Sequence, residues 1–216
     1  ACGRIILKAV LLRRLTFRED KSPDGRQGHK RKKVKAIFLS EIYENNMTRL
    51  KARFPDIYDR LAGRKVDAPF TFQVTATAFN RVNIAATLSD GRKVNFYDDA
   101  DIVGGIRAKM KDWQLESEDF LFCVGFGLGY LPLLASQQFE GKPHIVVFEP
   151  HPETFRLAMR SIDLRPLLAY ERFEMHLGPD LPVSDIIGRY GERIFFGKNR
   201  LVSHGPSRLL YGETFQ

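Results

Sequence analysis

Cysteine is almost missing from this sequence. Two residues, Cys2 and Cys123, in a chain of 216 cannot build a disulfide framework, and such usage suits a reducing compartment. Long apolar runs are missing too. None approaches the ~20 residues that a membrane-spanning helix needs, which excludes a multi-span chain. The histidines are His29, His144, His151, His176 and His204, and none belongs to an H-E-x-x-H or paired Cys/His pattern, so the sequence supports no metal site. There is no G-x-S-x-G elbow for a serine nucleophile. Gly141-Lys142-Pro143 lacks the upstream glycine and the hydroxyl residue of a phosphate loop. Cys123 falls in an apolar segment without a basic neighbour, which points to core rather than to a reactive thiolate.

The charge of +8 sits in one place. Residues 1–36 hold 12 Lys+Arg and 3 Asp+Glu; with totals of 34 and 26, the remaining 180 residues hold 22 and 23. The basic pI therefore describes a leader and not a binding face, so nucleic acid is not expected as a partner. Ile5–Leu12 is apolar apart from Lys8, and Arg13-Arg14 follow it, a poor match to a secretory signal. Residues 1–36 are predicted to be a disordered leader, dispensable for the fold.

The body changes style twice. Residues 40–62 carry apolar positions at helical spacing, and Pro55 should split them into two pieces. Residues 70–97 alternate, which predicts an antiparallel meander of three strands with turns at Asn80-Arg81 and Ser89-Asp90-Gly91. Asp98 or Asp99 is expected to cap a helix running to about Trp113. From residue 119 the strands become continuously apolar: 120–124, 145–148, 173–177 and, as a fourth, 193–196. Helices at 130–138, 152–162 and 183–189 alternate with them. That pattern predicts a parallel sheet covered on both faces: an α/β, Rossmann-like fold preceded by an N-terminal helix and a small β-meander. The expected division is 1–36 leader, 37–115 helix plus meander, and 116–216 Rossmann-like domain.

The strongest chemical signal is Gly125-x-Gly127-x-Gly129 between a strand and a helix. Glycines are needed where the chain turns tightly or where something must come close. Glu149, 20 residues after Gly129 and at the end of the next strand, stands where a carboxylate can accept from ribose hydroxyls. The spacing is not the full G-x-G-x-x-G of dinucleotide folds, since Leu131 would replace its third glycine. Cys123–Tyr130 is closer to the loop of S-adenosylmethionine-dependent methyltransferases, in which Asp180 could face the adenine. Gly125, Gly127, Gly129, Glu149 and Asp180 are thus the candidate cofactor-binding residues, for S-adenosylmethionine or a nucleotide sugar. The competing reading is that the glycines serve strand-to-helix packing alone. His151, just past Glu149, reads as a bystander at a helix start.

Three segments carry a family resemblance. Residues 44–58, with Asn46, Leu50, Phe54, Pro55 and Tyr58, resemble the N-terminal helix of the motility accessory factor (Maf) proteins. Phe126-Gly-Leu-Gly-Tyr130 and Val147-Phe-Glu-Pro-His-Pro-Glu153 resemble that family's next landmarks. The resemblance runs from about residue 41 to the end. It implies a bacterial, cytoplasmic protein linked to flagellin glycosylation, with flagellin as partner. Family members are thought to transfer a nonulosonic acid from a CMP-activated donor to flagellin Ser/Thr. Their catalytic site lies in a central domain related to pterin diphosphokinases of the MptE type, which this chain is expected to end before, so the resemblance assigns no catalytic residue here. A free-standing methyltransferase is the alternative. Against it stand the missing Asn/Asp-Pro-Pro-Tyr motif and a sheet of about four strands rather than seven.

Overall fold

Pro55 divides the first helical segment as its chemistry requires. In the computed structural model, α1 covers 41–53, Phe54 leaves helical geometry, and α2 (Pro55–Ala62) starts with proline at its first position. The structure describes residues 41–63, 70–77, 79, 81–88, 90–98, 100–140, 142–180 and 182–211. The leader, Asn80, Ser89 and Asp99 lie outside them.

Helix α1 is docked by polar anchors as well as by Met47 and Leu50. The buried Asn46 donates to the carbonyls of Met159 (2.8 Å) and Ile162 (2.7 Å) and accepts from Leu164 N (2.9 Å). Arg53 donates to the carbonyls of Leu168, Tyr170, Glu171 and Phe173. The carbonyls of Met159, Ile162 and Leu168 lie at or just past helix ends, where no helical N–H reaches them.

The alternating segment forms three antiparallel strands in sequence order, β1 (Phe70–Ala76), β2 (Val82–Leu88) and β3 (Lys93–Asn95). Helix α3 (Ile102–Met110) follows. Its cap is Asp101, whose carboxylate accepts from Gly104 N at 2.9 Å, instead of Asp98 or Asp99, and it ends at Met110, short of Trp113. Asp101 stands directly before the first helical residue, Ile102, which is the N-cap position, and it accepts from the third.

The second half is a four-stranded parallel sheet in the order β6-β5-β4-β7, separate from the meander. Its strands are β4 (Phe120–Val124), β5 (His144–Glu149), β6 (Phe173–Leu177) and β7 (Asn199–Ser203). Between them come α4 (Tyr130–Gln138), α5 (Pro152–Ser161), α6 (Arg165–Leu168) and α7 (Val183–Phe196), and α8 (Gly205–Tyr211) follows β7. The parallel pairing of 120–124 with β5 is as expected from their unbroken apolar character. The fourth strand is not. Residues 193–196 are the last turn of α7, which runs on well past 189, and the strand is Asn199–Ser203. Ile186, Tyr190 and Ile194 recur every four residues, and together they cover Phe120, Val146 and Phe148. That burial holds the helix through Gly188 and Gly191, whereas β7 forms by backbone pairing with β4 and needs little apolar signal of its own.

The opposite face of the sheet, with Leu121, Cys123, Ile145, Val147 and Met175, joins one large core. The same core takes in Leu50 of α1, Phe70, Ile84 and Phe96 near the meander, and Met110 of α3. Cys123 is buried there, which pushes its thiol up to about 12, so it stays an inert core thiol.

Candidate functional site: the glycine loop

Strands β4, β5 and β6 step outward in one direction and β7 returns to the other side of β4. The strand order therefore reverses between β4 and β7. In open parallel sheets that switch point, at the carboxyl ends of the strands, is the crevice where ligands bind. The glycine loop leaves β4 at this place. Gly125, Gly127 and Gly129 all have positive φ, at 85°, 58° and 79°, a region that side chains other than glycine rarely adopt.

What lies against each glycine belongs to the chain itself. A Cβ on Gly125 would stand 2.7 Å from Ser207 Cβ and 3.2 Å from His204 Cβ. On Gly127 it would stand 2.8 Å from the Tyr97 hydroxyl and 2.9 Å from His204 Cε1. On Gly129 it would overlap the Phe126 ring. The turn from β7 into α8 thus fills the switch point from one side and Tyr97, just after β3, from another.

These side chains are bonded to one another and to the loop. Leu128 N donates to the Tyr97 hydroxyl at 3.1 Å. His204 Nε2 lies 3.2 Å from Phe96 O, and Nδ1 lies 2.6 Å from Ser207 Oγ and 3.3 Å from Ser207 N. Carbonyl on one side and donors on the other define the neutral tautomer with its proton on Nε2. The His204 ring also packs on Phe96 and Tyr97, each at 5.3 Å between centroids. Burial pushes the Tyr97 hydroxyl pKa well above its ordinary 10.

Glu149 closes the loop from below. Its carboxylate is fully buried. Oε2 accepts from Phe126 N at 2.8 Å and Oε1 from His151 N at 2.9 Å. It thereby ties the glycine loop to the start of α5, with His151 as that helix's N-cap residue. Asp180 is exposed, three residues beyond the end of β6. The structure thus brings Gly125, Gly127, Gly129 and Glu149 together and leaves Asp180 at the surface. Sequence reasoning missed Tyr97, His204 and Ser207. Reading β7 at 199–203 would have put His204 at the switch point; the misplaced fourth strand hid it.

Burial lowers the His204 pKa from an ordinary 6.5 to about 4, against the opposing pull of its bond to Phe96 O. The unfolded chain protonates this histidine near 6.5, so between pH 6.5 and 4 the unfolded state binds the extra proton. Stability should therefore be complete above pH 6.5 and decline by about 2–3 kcal/mol on the way to pH 4 from this group alone. Urea titrations across that range check it: His204→Gln should flatten the slope relative to the parent chain.

Among the described residues no group of three His, Cys, Asp or Glu gathers as a metal site would require. No helix among them is long and apolar enough to cross a membrane. No family model matches the chain, and neither does any curated protein sequence. Among solved structures, the chain is similar to one described as a Maf glycosyltransferase from Magnetospirillum magneticum AMB-1. The identity is 16%, the TM-score 0.48, and the match covers 81% of this chain and 34% of that one. This chain therefore spans about a third of that protein's length, and no activity is carried over from it.

Proposed function

We propose that these residues form a non-catalytic, Rossmann-like region of a Maf-type glycosyltransferase, and that its glycine loop is an internal clasp and not a cofactor cradle. The observation that carries the second part is the occupation of the loop. Each Glu149 oxygen already accepts a backbone N–H, and a side-chain atom of Tyr97 or His204 stands within 3 Å of where a Gly127 Cβ would be. The Glu149 carboxylate is fully buried, so a ribose could reach it only by displacing the residues packed over it. The residues do not fit a ribosyl cofactor in this arrangement. The Maf part rests on the sequence segments around Asn46, Phe126–Tyr130 and Val147–Glu153. On that reading the protein is bacterial and cytoplasmic, the sugar is a nonulosonic acid from a CMP-linked donor, and the acceptor is flagellin. Transfer itself would belong to a domain outside this region. The division near residue 115 is then one between two subdomains that share a core.

One observation favours a second reading. Three positive-φ glycines at a switch point are also what S-adenosylmethionine or nucleotide binding requires, with Gly125, Gly127, Gly129 and Glu149 as the contacts. Calorimetric titration with S-adenosylmethionine, NAD and CMP separates the two. The clasp predicts no heat from any of them with the folded chain. Tight S-adenosylmethionine binding that Glu149→Ala abolishes would establish the methyltransferase-like reading instead.

A further inference from the structure

One side of the parallel sheet is half bare. Register pairs Leu201 of β7 with Phe122 of β4, and alternation puts both, with Val124, on the side that α7 covers. Helix α7 lies over β5, β6 and the start of β4: Arg189 and Tyr190 reach Glu174 on β6, and Arg193 reaches His144 on β5. Successive residues turn by 100° along a helix. The flank opposite Arg189 therefore carries Val183, Ile187, Gly191 and Phe195 and looks toward β4 and β7. Among the described residues nothing covers this notch, and the outer edge of β7 has no strand beside it.

The exposures on this flank and on β7 are large: Val183 51%, Ile187 58%, Phe195 82% and Leu201 70%. With large apolar side chains at roughly 150–250 Å² each, these four leave on the order of 450 Å² of apolar surface in water. A patch of that size on a monomer is often functional. It is more than half of the ~800 Å² that each partner contributes to a stable interface, with the β7 edge and the polar rim available to supply the rest.

We propose that this notch is the interface of a homodimer, in which α7 of each copy lies over the bare β4–β7 surface of the other. The occupant must offer an apolar helix flank to an apolar sheet face. The chain carries both in one patch, which is the condition for a two-fold, isologous contact. Gly188 has no atom within 4 Å of where its Cβ would be, and Gly191 has only Ile187 at 3.5 Å, so two α7 helices can approach closely at the axis.

Sedimentation velocity on the full chain tests this, at up to about 100 μM, where an interface of micromolar affinity is populated. The expected result is a dimer that Phe195→Asp and Ile187→Asp each weaken at least tenfold. Their thermal melts should still show a folded body, because both side chains are exposed. Val74→Asp, an exposed apolar position on the meander, should leave the dimer intact. A chain that stays monomeric overturns the proposal, as does a dimer indifferent to Phe195→Asp. A monomer that dimerises only once residues 1–36 are deleted overturns it too, because the leader would then be the occupant.

Discussion

Glu149→Ala should lower the stability of the folded chain by about 3–5 kcal/mol. The carboxylate is fully buried and each oxygen takes a backbone N–H, from Phe126 and from His151. Removing it takes that acceptor from a buried donor, Phe126 N, and from a half-buried one, His151 N, at ~1–3 kcal/mol each. Alanine also leaves a small cavity at the junction of β5, the glycine loop and α5. For a chain of this size, 1 kcal/mol moves the melting temperature by roughly 2–4 °C, so a fall of about 6–20 °C is expected. Glu149→Gln should fall between, since its amide keeps one acceptor and turns a donor toward an N–H. Urea unfolding measures both. If Glu149 were a ligand contact only, both variants would unfold near the parent midpoint and lose affinity instead.

Gly127→Val should cost at least about 3 kcal/mol, and two separate causes contribute. The backbone at φ 58° disfavours any side chain, a β-branched one most of all. The new Cβ would also stand 2.8 Å from the Tyr97 hydroxyl and 2.9 Å from His204 Cε1, both of which are held in place. A double-mutant cycle separates steric conflict from backbone strain. Gly127→Ala combined with Tyr97→Phe should be more stable than the two single losses add up to, by ~0.5–3 kcal/mol, because the hydroxyl in conflict is gone. Strict additivity would show that the Tyr97 hydroxyl is not what the glycine accommodates.

Several features of this protein were legible in its residues alone. Unbroken apolar strands at 120–124 and 145–148, alternation over 70–97, and Pro55 each act locally. Burial on two faces, burial on one, and a missing N–H with a fixed φ leave their mark within a few residues. The glycine loop was legible as a place where something comes close, and Glu149 as a carboxylate at a strand end.

What comes close was not legible. Tyr97, His204 and Ser207 lie 30 to 80 residues from Gly127, and only the reversal of strand order brings β7 beside β4 and sets the β7–α8 turn against the loop. The same step turned Ile194-Phe195-Phe196 from an expected strand into the end of α7. Local preference there was weak, and packing of Ile186, Tyr190 and Ile194 on Phe120 and Phe148 decided it. The sequence determined that a tight turn would follow β4 and that a carboxylate, Glu149, would stand at the end of the next strand. Tertiary structure decided that the carboxylate would be buried against the loop and that the chain's own histidine, serine and tyrosine would pack on its glycines, because contacts at such separation depend on topology and leave no periodic trace.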